Sequence, residues 1–235
     1  ISSEHDYDPG SSQYTWLEND LEDADGNREN VPWVIVFAHR AMYSSNGEGD
    51  GHGSEIEFRD AMESLLFDYH VDLAIWGHDH HYERTYPVFE EQVYANNTGS
   101  YDDPYYLPGA PIHIVAGMAG RSLYDGFEEP QPDWSAYREL SYGYTQFEVT
   151  KSGTLHYEFV RNSDGIVSDE FWIVQSLDYE PSGTIGYPET GTNQTNETKE
   201  KDIVDKVKEL DYANAPISIL IVTIVAIFKS RLREV

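Results

Sequence analysis

At 235 residues the chain can hold one sizeable core plus appendages. Its 15 Lys and Arg against 43 Asp and Glu give a net charge of -28, which argues against nucleic-acid binding, because a phosphate backbone demands a positive surface. A phosphorylated ligand would have to be attracted by bound metal rather than by side chains. There is no cysteine, so disulfides are excluded. The chain opens on Ile1 with no signal-peptide pattern, and we expect either a processed start or a fragment.

Ser12 to Asp23 places Tyr14, Leu17 and Leu21 on one face and predicts a helix. Pro32 to Phe37 is a continuous apolar run, as for a strand buried on both faces, and it ends at Ala38-His39-Arg40. A polar, glycine-rich loop follows from Ser44 to Gly53. Ser54 and Glu57 then have capping-box spacing and predict a helix with Phe58, Met62, Leu65 and Leu66 facing the core. Val71 to Trp76 is a second apolar strand, running into Gly77-His78-Asp79-His80. Strand, helix and strand in this order predict a βαβ crossover with two parallel strands. His39, His78 and His80 then meet at one rim, beyond the carboxyl ends of the strands, where open α/β sheets place their ligands. Gly77 permits a sharp turn, and alternate histidines in a loop can aim at neighbouring points. That suits two metal ions sharing a site better than one ion in a closed cage.

Further on, Pro111 to Val115, Tyr144 to Val149, Thr154 to Arg161 and Val167 to Val174 read as strands. Turns at Lys151-Ser152-Gly153 and Asn162-Ser163-Asp164-Gly165 join the last three into an antiparallel meander. The catalytic-type domain is expected over 1–175. A linker with a short amphipathic helix (Ile203, Val207, Leu210) is expected over 176–211. The apolar run 212–228 predicts a transmembrane helix followed by a basic cytoplasmic tail, 229–235, the alternative being a buried strand or core helix. Sequons at Asn96, Asn193 and Asn196 agree with an extracellular or lumenal, single-pass placement.

Two ordered motifs carry a resemblance. Val36-Phe37-Ala38-His39 and Gly77-His78-Asp79-His80, with Tyr82-Glu83-Arg84 after the second, resemble the purple acid phosphatases of the binuclear metallophosphoesterase superfamily. Ser2 to Asp6, Pro111 to Gly117 and the stretch from Tyr142 to Trp172 look like neighbouring parts of that family. The resemblance covers roughly 1–175. It implies the C-terminal half of a metallophosphoesterase α/β sandwich: parallel strands, then the antiparallel meander. It also implies a binuclear centre of Fe(III) plus a divalent ion (Zn, Mn or Fe). His39 and His78 would hold the divalent ion and His80 the ferric ion, with a metal-bound hydroxide attacking a phosphomonoester at acidic pH. His52 lies in the loop where the family carries a histidine acting as acid toward the leaving alkoxide.

The family's earlier motifs, which supply two aspartates, a tyrosine and an asparagine, are not recognisable here. The chain is therefore expected to be the C-terminal part of a longer phosphatase and inactive alone. His81 reads as a residue behind the ligands, facing away from His80, while Tyr82 and Arg84 lock the loop with Glu83 as their partner. His113 and His156, inside strands, read as structural. Alternatives are a metallophosphoesterase acting on diesters or nucleotide anhydrides, and a degenerate, non-catalytic surface glycoprotein. Small phosphorylated substrates and a membrane are the expected partners.

Overall fold

The computed structural model describes residues 1–47, 52–124 and 126–175. Asn193, Asn196, the linker, the apolar run 212–228 and the basic tail lie outside the described residues. Among those described, no helix is long and apolar enough to cross a membrane.

Among the described residues three layers pack together: two helices, a mixed five-stranded sheet, and a four-stranded sheet. Helix α1 spans Ser12–Asp25 and α2 spans Ile56–Asp68. The first sheet contains β1 (Ile35–Phe37), β2 (Leu73–Trp76), β3 (Tyr82–Thr85), β7 (Ile112–Ala116) and β8 (Ser135–Glu139), in the order β1-β2-β7-β3-β8. Between them in the chain come β4 (Val88–Phe89) and β5 (Gln92–Val93), a small hairpin, and β6 (Tyr105–Tyr106). The second sheet is ordered β6-β11-β10-β9, from β9 (Gly143–Val149), β10 (Thr154–Arg161) and β11 (Val167–Val174).

As expected, β1 pairs parallel with β2, joined through α2; β2 also pairs parallel with β7. Alternation along the strands sorts their side chains into two cores. Val36, Ala74, Trp76 and Val115 face α1 and α2, packing on Leu17, Leu21, Phe58, Met62 and Leu66. Leu73, Ile75, Ile112 and Ile114 face the second sheet, packing on Leu155, Tyr157, Phe159, Phe171 and Ile173.

Three expectations change. The capping box does not form: α2 has Glu55 at its N-cap without a side-chain cap bond, and the Ser54 hydroxyl instead ties the Ser44 backbone N–H (3.0 Å) and carbonyl (3.1 Å). Glu55 is drawn away by an ion pair with Arg40. Tyr82 to Thr85 is a buried strand rather than a loop, antiparallel to both β7 and β8. Arg84 is not partnered by Glu83, because neighbouring strand residues point to opposite faces. Arg84 and Tyr82 face the second sheet. There Asp169 accepts from Arg84 Nε (2.7 Å) and Nη2 (2.8 Å) and from the Tyr82 hydroxyl (2.8 Å).

Candidate metal centre at the strand ends

His39 follows β1 and His78 follows β2, so parallel pairing sets them side by side. His78 Nδ1 lies 3.0 Å from His39 Nε2, with ring centroids 4.8 Å apart. The turn that achieves this is held by the Gly77 N–H donating to the His39 carbonyl at 2.9 Å. The left-handed residue of the turn is His78 itself, with φ of 65°, not Gly77. A non-glycine residue in that region costs about 1–2 kcal/mol, a strain that clusters at functional sites.

His52 reaches the same place from the loop before α2, its ring 4.5 Å from that of His78. His80 stands further off, 6.4 Å from the His52 ring. Between them is Tyr124, whose ring centroid is 4.8 Å from His52 and 4.6 Å from His80. Its hydroxyl lies 2.8 Å from His52 Nδ1. Tyr124 belongs to the loop that leaves β7, a third parallel strand ending at the same rim. Sequence reasoning missed it, although the rule that led to His39 and His78 applies equally to the end of β7.

Asp79 was missed as well. It is buried between the two histidines of the motif. Its Oδ2 accepts from the Ser44 hydroxyl and from the Gly53 N–H at 3.0 Å, while Oδ1 lies 3.3 Å from His52 Nδ1. One carboxylate thus ties the loop bearing His52 to the loop bearing His78 and His80. The backbone comes equally close on the other side. A Cβ on Gly117 would sit 1.9 Å from the Asp79 carbonyl oxygen, so only glycine fits there.

His81 turns away from His80 and is fully buried, with Nε2 3.2 Å from Glu83 Oε2. Glu83 also accepts from the Ser45 N–H and hydroxyl, both at 2.7 Å, and from the Ser135 hydroxyl at 2.6 Å. Burial works to raise its pKa, yet the bonds from His81, Ser135 and Ser45 prevail and hold it below the ordinary carboxylate value. This carboxylate braces the segment after His39 from beneath. Tyr82 and Arg84 act further away, against the second sheet.

The donor set fits metal. His78 Nε2 is buried without a hydrogen-bond partner, a cost that a ligated ion would remove. Burial lowers the pKa of both His78 and His80, favouring the neutral imidazole that ligates. Donor atoms of His52, His78 and Asp79 fall within 4.8 Å of one another. That tight group differs from His39, His78 and His80. Asp79 Oδ2 is engaged by Ser44 and Gly53, while its buried Oδ1 has no hydrogen-bond partner, and His52 is engaged by Tyr124. His113, by contrast, accepts from Trp76 Nε1 at 3.1 Å deep in the core, and burial depresses its pKa to about 3.

Comparison with known proteins identifies the family. Residues 2–82 match the family model for calcineurin-like phosphoesterases, and 110–170 match that for the iron/zinc purple acid phosphatase-like protein C. Acid phosphatase type 7 of Danio rerio is 38% identical over 178 residues, covering 69% of this chain and 40% of the relative. Probable inactive purple acid phosphatase 1 of Arabidopsis thaliana is 38% identical over 180 residues, covering 75% of this chain and 28% of the relative. The purple acid phosphatase PPD1 from yellow lupin seeds superposes with a TM-score of 0.67 at 30% identity, covering 79% of this chain and 33% of that one. The chain thus spans well under half the length of these relatives.

Proposed function

The chain belongs to the purple acid phosphatase family, and from that premise we propose that it supplies one side of a binuclear metal centre hydrolysing phosphomonoesters at acidic pH. The observation that carries this reading is the convergence of His39 and His78, 3.0 Å apart, at the ends of two parallel strands, with His52 and His80 beside them. In this proposal His39 and His78 hold the divalent ion (Zn, Mn or Fe) and His80 holds Fe(III). Bound there, the two ions would neutralise the phosphoryl oxygens and acidify a water.

The chain's own residues do the positioning. Asp79 and Tyr124 both bear on His52 Nδ1 and so orient the ring, leaving it to hand a proton to the departing alkoxide. Glu83 and His81 keep the loop after His39 from shifting. Three imidazoles lack the anionic ligands that a bridged pair of ions requires. We therefore include in the proposal that the remaining ligands come from polypeptide beyond this chain and that the chain alone is inactive. The edge of β1 suits such docking: among the described residues β1 pairs with β2 alone, and Phe37 at its end is exposed.

An extracellular or lumenal location, glycans at Asn96, Asn193 and Asn196, and a membrane span over 212–228 complete the proposal; Asn96 is exposed as a glycan requires. Metal analysis of the full-length protein tests the central point. Two ions per molecule are expected, with loss of at least one in His78→Ala. Turnover of an aryl phosphate should exceed that of its diester, and His52→Ala should lower kcat by about 10²-fold or more. A full-length protein free of metal would favour the degenerate surface protein, a reading to which the "probable inactive" relative lends weight.

A further inference from the structure

The loop leaving β7 carries a cation that the proposed chemistry has not used. Both feet of this loop stand on the second histidine motif: the Gly117 N–H donates to the His81 carbonyl at 3.2 Å, and the Tyr124 N–H to the His80 carbonyl at 3.3 Å. Met118 and Leu123 pin the chain inward, packed in the core between the two sheets. Residues 119–122 between them are exposed, so Arg121 rides on a short arch anchored at the rim. With so little chain between the anchors, the guanidinium stays near His80. Burial lowers the His80 pKa, and the Arg121 charge adds to that effect.

Pairing sets Arg121 apart. The chain has 43 acidic residues against 15 basic ones, so an arginine finds a carboxylate easily. Among the described residues Arg28, Arg40, Arg59, Arg84, Arg138 and Arg161 are each held by one. Arg121 is exposed and has no ion pair or hydrogen bond among those residues. Arg40 is the useful contrast. Its charge bears on His78 as that of Arg121 does on His80, but Glu4 and Glu55 occupy it.

An unmatched guanidinium beside histidines that hold cations is unfavourable, since like charges repel. An anion between them reverses the sign. The guanidinium fork matches two phosphate oxygens at once. A phosphoryl group clamped by metal is already neutralised, so the charge left for Arg121 is that of a second phosphate beside it. Tyr124, at the foot of the same arch, lies 2.8 Å from His52 Nδ1, which puts the arch on the leaving-group side.

Resting on the phosphatase reading, we propose that Arg121 binds the inner phosphate of a diphosphate whose terminal phosphoryl group is cleaved. The substrate class is the terminal phosphoanhydride, of a nucleoside diphosphate or of inorganic pyrophosphate. Water adds to the terminal phosphorus and the bridging P–O bond breaks, its electron pair leaving on the inner phosphate. One proton of the water passes to bulk solvent. Arg121 neutralises the charge that builds on the departing phosphate.

The full-length protein tests this with an aryl phosphate, ADP and pyrophosphate. Arg121→Ala removes an exposed side chain and strands no partner. It should lower kcat/KM for ADP and pyrophosphate about tenfold or more relative to the aryl phosphate. Arg121→Lys should recover part of that ratio, as a point charge without the fork. Whichever of ADP and pyrophosphate the unaltered protein prefers names the source of the diphosphate, and either order supports the site. An unchanged ratio in Arg121→Ala overturns the inference and leaves the phosphatase reading intact. If no substrate is turned over, that reading fails, and calorimetry decides the site instead. Pyrophosphate should then bind more tightly than orthophosphate, and Arg121→Ala should erase the difference; equal affinities in the unaltered protein would overturn the proposal.

Discussion

The two sheets are held together by different means. In the second, β10 and β11 begin and end where strand alternation and the flanking turns place them, and their inward faces are filled by Leu155, Tyr157, Phe159, Phe171 and Ile173. In the first, the short strands β1, β2 and β7 end in loops whose order depends on buried polar groups: Asp79, His81 and Glu83. Apolar burial is tolerant, because any well-sized side chain recovers most of it. Buried charge is not, since each group needs its own partner. The lesson is that the places where charge is buried, the rim holding the candidate metal ligands and the Arg84–Asp169 junction between the sheets, are more brittle than the apolar packing, and substitutions should rank accordingly.

The largest effect is expected where the two sheets are joined by charge. Asp169→Ala would strand the buried Arg84 guanidinium and the Tyr82 hydroxyl, leaving Arg84 only the Tyr105 hydroxyl at 2.9 Å. Losing one member of a buried pair costs about 3–5 kcal/mol. Urea unfolding should show a loss in that range. A loss below about 1 kcal/mol would mean that the apolar interface, not this pair, fastens the sheets. Gly117→Ala ranks next, because its Cβ would collide with the Asp79 carbonyl, a rigid backbone atom. We expect a destabilisation of about 3 kcal/mol. Zinc binding at the first-sheet histidines should fall with it, as Asp79 carries the loop between them.

How far the sequence revealed all this follows the same division. β10 and β11 were legible to the residue because one periodicity governs them throughout. The βαβ unit was legible because apolar runs alternate with a helical stripe, and it brought His39, His78 and His80 to one rim. β3 was not, since Tyr-Glu-Arg-Thr sets two adjacent charges in a short run that reads as exposed, and only tertiary partners such as Ser135 and Asp169 make those charges burial-compatible. Ser54 likewise carries a capping signal that a tertiary bond to Ser44 overrides. Tyr124 lies in a segment with no period at all. Its only signal is topological, the end of another parallel strand.

Glu83 sharpens the comparison through pH. Its folded pKa lies below the ordinary value of 4.5, so the stabilisation it provides is complete above 4.5 and is lost as pH falls through the lower folded value. Glu83→Gln should cost about 1–3 kcal/mol at neutral pH, from unmatched partners at Ser45, Ser135 and His81. It should also flatten the acid limb of the stability profile below pH 4.5. An unaltered acid limb would show that other carboxylates govern acid unfolding. The point bears on the proposed function: a brace whose pKa is held below the ordinary carboxylate value helps keep the loop after His39 in place at the acidic pH proposed for turnover.

The smallest effect should come from Gly165, in the turn between β10 and β11. Like Gly117 it must be glycine for a backbone reason, but a different one: its φ is +72°, while a Cβ there would meet nothing within 4 Å. Gly165→Ala then carries only the left-handed conformational penalty, about 1 kcal/mol. The gap between the two alanine variants, measured in the same denaturation series, separates the cost of strain from the cost of collision. If Gly165→Ala proved as damaging as Gly117→Ala, the meander would be as sensitive as the rim, and the contrast between tolerant apolar packing and exacting polar packing would fail for this fold.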